Sequence, residues 1–244
     1  MRTIEFFSSI DGLAETLPIY PASQFRPAWM ETAKEDYKRV RSLRMDKFTH
    51  VYHCPGIFDL YNEGFIVPMW HDLIIKTKIN DPKGFGWAIP SDDLQPGPRS
   101  VVDALQDNII RFIPRRPWSM QKPIKLNTPW HVVAPKGVRF LMLPISYPDT
   151  FEFEHAPGLL DPGYSSELNF QIWWNKLDGE HLIKAGTPMC HMIPITTEKF
   201  KYVCRTMTDN DRKWLEKRQF LMNFTFKQKR SLMKEMYYKF FKKG

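Results

Sequence analysis

Residues 158–194 read Gly158-Leu159-Leu160-Asp161-Pro162-Gly163-Tyr164-Ser165-Ser166-Glu167-Leu168-Asn169-Phe170-Gln171-Ile172-Trp173-Trp174-Asn175, then a turn at Leu177-Asp178-Gly179. They continue as His181-Leu182-Ile183-Lys184-Ala185-Gly186-Thr187-Pro188-Met189-Cys190-His191-Met192-Ile193-Pro194. Glu167, Asn169 and Gln171 alternate with Leu168, Phe170 and Ile172, the period of a half-buried strand. Asp161-Pro162-Gly163 is turn chemistry: proline sets φ, and glycine is expected to accept a positive φ. Asp178-Gly179 is a hairpin signal. Gly186 breaks the next strand just before Thr187-Pro188. The expectation is that the segment folds back on itself as paired strands within a closed β-sandwich.

These residues resemble the core hairpin of the dUTPase/dCTP-deaminase superfamily. Leu159, Leu160, Asp161 and Tyr164 fit its first element, and Gly186 through Ile193 fits the second. The match spans about 37 of the 244 residues. The resemblance implies a jelly roll, an aspartate (Asp161) beside a sugar 3′-hydroxyl, an aromatic (Tyr164) against deoxyribose, and a homo-oligomer, commonly a trimer. The phosphate-gripping loop of that family falls on Leu143-Pro144-Ile145-Ser146-Tyr147-Pro148. That stretch has no glycine, and its prolines remove backbone N–H donors that a phosphate cradle needs. The glycine-rich closing arm is replaced by a basic, aromatic tail. The resemblance therefore speaks for fold and against pyrophosphatase chemistry.

Further motifs are Cys54-Pro55-Gly56, the run from Gly64 to Trp70, Thr128-Pro129-Trp130, Ala134-Pro135-Lys136-Gly137 and Gly186-Thr187-Pro188. Together they are similar to an uncharacterised domain family of tailed phages and bacteria. That similarity implies a single domain and a phage origin, and supplies no activity.

A hydrophobic content of 43%, 14% of the chain aromatic, argues for a packed core. Twenty prolines against twelve glycines suit short strands that stop at sheet edges. Three cysteines, Cys54, Cys190 and Cys204, show no metal spacing and no disulfide framework. No run approaches the ~20 apolar residues of a membrane span, and the N-terminus lacks signal-peptide character. The expected location is the host cytoplasm or a virion. Residues 217–244 hold nine basic residues against Glu235 alone, which accounts for the whole net charge of +8. The basicity belongs to the tail, which is where a polyanion would be met.

Along the chain, strands are predicted at 2–8, at 65–79 with a bend at Pro68, at 84–89 and at 109–113. A hairpin is predicted from Trp130 to Ala134 through Pro135-Lys136-Gly137 to Val138–Leu143, and a strand at 151–154. Helices are predicted from Pro27 to Arg44, from Cys54 to Gly64, from Thr208 to Leu221, and over 225–243. Residues 91–100 read as a polar loop. The fold class is mainly β, of α+β type: a jelly-roll or β-sandwich core with an N-terminal helix and two C-terminal helices. It divides into a strand and helical decoration at 1–64, the core at 65–205 and basic amphipathic helices at 206–244.

Several residue groups carry candidate chemistry. Asp161, Tyr164 and Glu167 are the catalytic candidates. Asp161 either binds a ligand hydroxyl or caps its own turn. Asp161 and Glu167 together offer two carboxylates for a divalent metal or for acid–base work. His131 and His191 sit in well-defined strands and are the metal candidates, as in a cupin-like enzyme, if the strands converge. Arg111, Arg115, Arg116 and Trp118 form a basic, aromatic cluster for a phosphate or a partner subunit. In the tail, Leu232, Met233, Met236, Tyr237, Phe240 and Phe241 recur at helical spacing, flanked by Lys227, Lys229, Arg230 and Lys234. That stripe docks on a protein surface or binds nucleic acid. No nucleophile elbow, Walker loop, dinucleotide fingerprint or zinc-finger spacing occurs. The leading expectation is a non-enzymatic, phage-type structural or accessory binding protein, with the β core as platform and the basic tail as contact. A nucleotide-binding or nucleotide-metabolising enzyme comes second, and a metal enzyme third. No cofactor is expected beyond an open place for a divalent metal.

Overall fold

The structure is a computed structural model that describes residues 2–43, 48–78, 85–90, 100–104, 112–114, 116–120 and 122–225. In chain order its elements begin with β1 (Thr3–Ser8), α1 (Leu13–Thr16), β2 (Tyr20–Pro21), α2 (Ala28–Leu43) and α3 (Pro55–Asn62). Next come β3 (Phe65–Pro68), β4 (Leu73–Thr77), β5 (Phe85–Ala88), β6 (Val102–Ala104), β7 (Ile124–Val133) and β8 (Arg139–Leu143). The order closes with β9 (Phe153–His155), β10 (Gly158–Leu160), β11 (Glu167–Trp174), β12 (Gly179–Ile183), β13 (Pro188–Ile195), β14 (Lys201–Thr206) and α4 (Asp209–Thr225).

Two sheets face each other. The first runs β14-β1-β7-β11-β9, with β6 also on β7; the second runs β10-β8-β13-β3-β2. Alternation decides what lies between them. Phe6, Trp130, Val132, Leu168 and Phe170 come from the first sheet, and Val67, Phe140, Met142, Cys190 and Met192 from the second, all in one buried cluster. Phe6 meets Phe65 edge-on at 4.9 Å across the gap. A third sheet, β12-β4-β5, continues the β3–β13 ladder past a shared bend. There Met69 N donates to Thr187 O and Gly186 N to Met69 O, each at 2.8 Å. Ala185 N donates to the Asp72 carboxylate at 2.7 Å. The fold is therefore mainly β within an α+β class, a β-sandwich with helices on its outside.

The pairing differs from the sequence expectation. No two strands within 158–194 pair with one another: β10 joins β8, β11 joins β7 and β9, β12 joins β4, and β13 joins β8 and β3. The expected hairpin around Pro135-Lys136-Gly137 is likewise a corner, since β7 and β8 lie in different sheets. The reason is burial. Each strand has one apolar face, and both faces reach the same core only from opposite sides. The turn at Asp161 closes differently as well. Gly163 does not have a positive φ; the Asp161 carboxylate accepts from Gly163 N at 3.1 Å instead, an Asx turn. Phe112 and Ile113, expected in a strand, sit in an exposed turn. Residues 109–111, the 91–99 loop and the second C-terminal helix lie outside the described residues.

The helices obey local rules. The N-terminus of α2 is capped from afar, as Ala28 N donates to Asp149 at 3.0 Å. Thr208 and Asp211 form a reciprocal cap on α4: Asp211 N donates to Thr208 Oγ1 at 3.3 Å and Thr208 N to Asp211 Oδ2 at 2.8 Å. α3 lies on the outer side of the second sheet, where Tyr61 stacks on His191 with ring centres 6.1 Å apart.

Candidate functional site

The outer face of the first sheet gathers most of the polar chemistry. β1 turns Phe7 outward and β7 turns His131 beside it, because Phe6 and Trp130 take the inward positions. The two rings stack at 5.3 Å, and the Arg205 guanidinium lies over the Phe7 ring at 5.2 Å. Arg205 also bonds Glu5 at 3.1 Å and Asp211 at 2.6 Å. Burial alone would raise the Asp211 carboxyl; its hydrogen bonds to Arg205 and Thr208 outweigh that and hold it below the ordinary range. The Arg205 guanidinium is shifted up, chiefly by its hydrogen bond to Asp211. This cluster fastens α4 to the sheet, with Trp214 and Leu215 packed on Phe7, Val133 and Met207.

The catalytic candidates lie at the same end. Glu167 opens β11 directly opposite His131 in the register. His131 Nδ1 is 3.4 Å from Ser166 Oγ, and Ser166 is buried. Glu167 Oε2 accepts from Asn169 Nδ2 at 3.2 Å. Asn127, opposite Asn169, donates to Asp103 at 2.7 Å. Asp161 closes its own turn twice: the carboxylate takes Gly163 N, and the carbonyl takes Tyr164 N at 2.8 Å and Ser165 N at 2.9 Å. Buried Arg218 of α4 reaches down to this turn, donating to Pro162 O at 3.2 Å and lying 5.1 Å over the Trp214 ring. The Asp161 turn and α4 are thereby bound to each other.

The metal candidates do not converge. His131 points off the outer face of the first sheet. His191 points off the outer face of the second, between inward-facing Cys190 and Met192, and its Nε2 donates to Glu63 O at 2.6 Å. Burial pushes its pKa down. The two strands bury the residues on either side of each histidine, which forces the rings outward and apart. Among the described residues no group of three His, Cys, Asp or Glu side chains is placed to hold a metal ion.

Arg116 makes a bidentate pair with Glu154, at 2.6 Å and 3.0 Å, and stacks 5.0 Å over Trp173. Trp118, two residues on, is 63% exposed. Arg111, Arg115, Lys227, Lys229, Arg230 and Lys234 lie outside the described residues. Sequence reasoning missed Arg205, although the Thr208-x-x-Asp211 spacing was a signal for the cap it joins.

Among the described residues no helix is long and apolar enough to cross a membrane. The protein is, by class, an α+β protein built on a β-sandwich. No family model matches the chain, so the whole-chain similarity to a phage and bacterial domain family finds no counterpart there. No curated protein matches it either. A solved structure of a mutant dUTPase from phage phi11 of S. aureus, described with a structural Mg(II) ion, resembles it distantly. The TM-score is 0.32 at 13% sequence identity, over 66% of this chain and 89% of that one.

Proposed function

We propose that this is a non-enzymatic structural or accessory binding protein of phage type, acting in the host cytoplasm or in a virion. Its sandwich, wound as a jelly roll, is the platform, and the basic C-terminal segment is the contact surface between copies of the chain. Successive strands that alternate between the two sheets support the winding: β7, β9 and β11 lie in one, β8, β10 and β13 in the other. One observation carries the functional reading. The side chains best suited to chemistry are engaged within the fold: Asp161 with its own turn, Arg116 with Glu154, and His191 with Glu63. The net charge meanwhile resides in 217–244, a stretch that begins within the helix that Arg205, Asp211 and Arg218 fasten to the rest of the fold.

Sedimentation of the full chain tests the contact. Wild type should sediment as an assembly, and a Met236→Asp, Phe240→Asp variant as a monomer with unchanged Tm. A wild type that sediments as a monomer throughout the concentration range would dispose of the reading.

A further inference from the structure

The outer face of the second sheet carries an apolar row that the fold leaves open. Alternation puts Leu160 of β10, Phe140 and Met142 of β8, and Cys190 and Met192 of β13 into the core. Leu159, Leu141 and Ile193 therefore point outward. The register sets them side by side: Leu159 opposite Leu141, and Leu141 opposite Ile193. Ile195 stands two residues further along β13. Leu159 is 53% exposed, Ile195 46% and Leu141 37%; Ile193 is partly exposed. The row is continuous across three neighbouring strands, and contiguous apolar surface marks an interaction site where scattered side chains do not. α3 covers the adjoining part of the same face, where Tyr61 lies on His191.

Acids border the row on the α3 side. Asp59 and Glu63 are exposed and lie one turn apart at the end of α3. Among the described residues neither carboxylate is in an ion pair. Gly64 packs so closely on β13 that an added Cβ would lie 2.9 Å from Ile193 Cα, which sets the preceding Glu63 at the rim. Arg139, opposite Ile195, occupies the other corner.

We propose that the row Leu159–Leu141–Ile193 is the docking face for residues 232–241 of a second copy of this chain. Such docking rests on the C-terminal segment being a contact between copies, and it supplies the surface that the contact meets. Leu232 and Met233, Met236 and Tyr237, and Phe240 and Phe241 make three apolar pairs. At helical rise the pairs recur about every 6 Å, and adjacent strands recur about every 5 Å. Each pair thus has one strand of the row to rest on. Lys234 and Lys239 stand beside the pairs and bring the sign opposite to Asp59 and Glu63.

The row is met by a neighbour's stripe because the chain's own is tethered on the wrong side. α4 packs on the outer face of the first sheet, with Trp214 and Leu215 against Phe7. Helices on the two outer faces of a sandwich are about 30 Å apart, given sheets about 10 Å apart and helices about 10 Å across. The six residues from Phe226 to Ser231 span at most about 22 Å.

Sedimentation of full-length variants, alone and mixed, is the test. Leu159→Asp with Ile195→Asp should weaken association about thirtyfold or more, the loss expected of a central apolar contact. Both side chains are largely exposed, so Tm should hold. Asp59→Lys with Glu63→Lys, both on the surface, is the second variant; it should weaken association most at low salt. The Met236→Asp, Phe240→Asp variant keeps an intact face, and the Leu159→Asp, Ile195→Asp variant keeps an intact stripe. Each alone should be monomeric, and mixed in equal amounts they should form a one-to-one complex. The proposal is overturned if both face variants assemble as wild type does, or if the mixture stays monomeric. Face variants that assemble while the stripe variant does not would sink the docking face and spare the contact between copies. A monomeric wild type, including one whose stripe binds phosphatidylserine vesicles or a thymidine strand instead, would sink both.

Discussion

Replacing Gly64 by alanine is expected to destabilise the fold by more than about 4 kcal/mol and to lower Tm by about 10 °C or more. Gly64 follows α3 with φ +77°, the left-handed position that ends many helices. A Cβ there would lie 2.3 Å from Met192 O and 2.9 Å from Ile193 Cα. Both are backbone atoms of β13, a central strand of the second sheet, and cannot swing aside. The Gly64 carbonyl also accepts from Ala22 N at 3.0 Å, so a shift would propagate to the N-terminal segment. Gly137 is the internal control. Its φ is +90°, yet nothing lies within 4 Å of the added carbon. Gly137→Ala should cost about 1 kcal/mol, the backbone penalty alone. Urea unfolding of the two variants separates steric clash from backbone preference, and equal losses would refute the close approach.

Acid should unfold this protein early. Burial pushes the His155 imidazole from 6.5 down to about 4, in a site where its ring lies edge-on to Phe170. His71 and His191 are shifted in the same direction, also mainly by burial. Each keeps one ring nitrogen bonded to a backbone carbonyl and the other buried without a protein partner. The sign follows from proton binding. Above pH 6.5 folded and unfolded chains both hold neutral His155, and its contribution is complete. As pH falls from 6.5 towards about 4, only the unfolded chain takes up the proton, so stability declines. His155 alone accounts for about 3 kcal/mol over that window. Lowered carboxyls such as Asp211 act below it, as pH falls under their ordinary value of 3.8. Denaturant midpoints measured from pH 7 to pH 4 should fall steadily, and His155→Leu should remove most of that slope. A His155→Leu protein as acid-sensitive as wild type would show that the ring is not the source.

Local structure was legible in the sequence; partnership was not. Alternation at Glu167–Ile172 gave both the strand and the face it buries, and Pro68 marked the bend between β3 and β4. The start of α4 was written in Thr208. Alternation reports burial, however, and says nothing about which neighbour completes the ladder. β14 shows the difference: Lys201–Thr206 pairs in parallel with Thr3–Ser8, at the other end of the chain. No local signal encodes such a contact. The same applies to the site. The Asx turn at Asp161 is a property of adjacent residues and could be anticipated. The stack of Arg205, Phe7 and His131 draws on three strands, and only the fold assembles it. His131 and His191 looked equivalent in sequence because each lies in an apolar strand. Their opposite orientations became readable only once those strands were assigned to opposite sheets.

The reading of this protein as a binding platform meets its most direct test in turnover. Purified protein incubated with each deoxynucleoside triphosphate and magnesium should release no pyrophosphate or phosphate above the buffer rate, since the Asp161 carboxylate is committed to Gly163 N. Release by wild type that disappears in Asp161→Asn would contradict the account and make the turn a catalytic one.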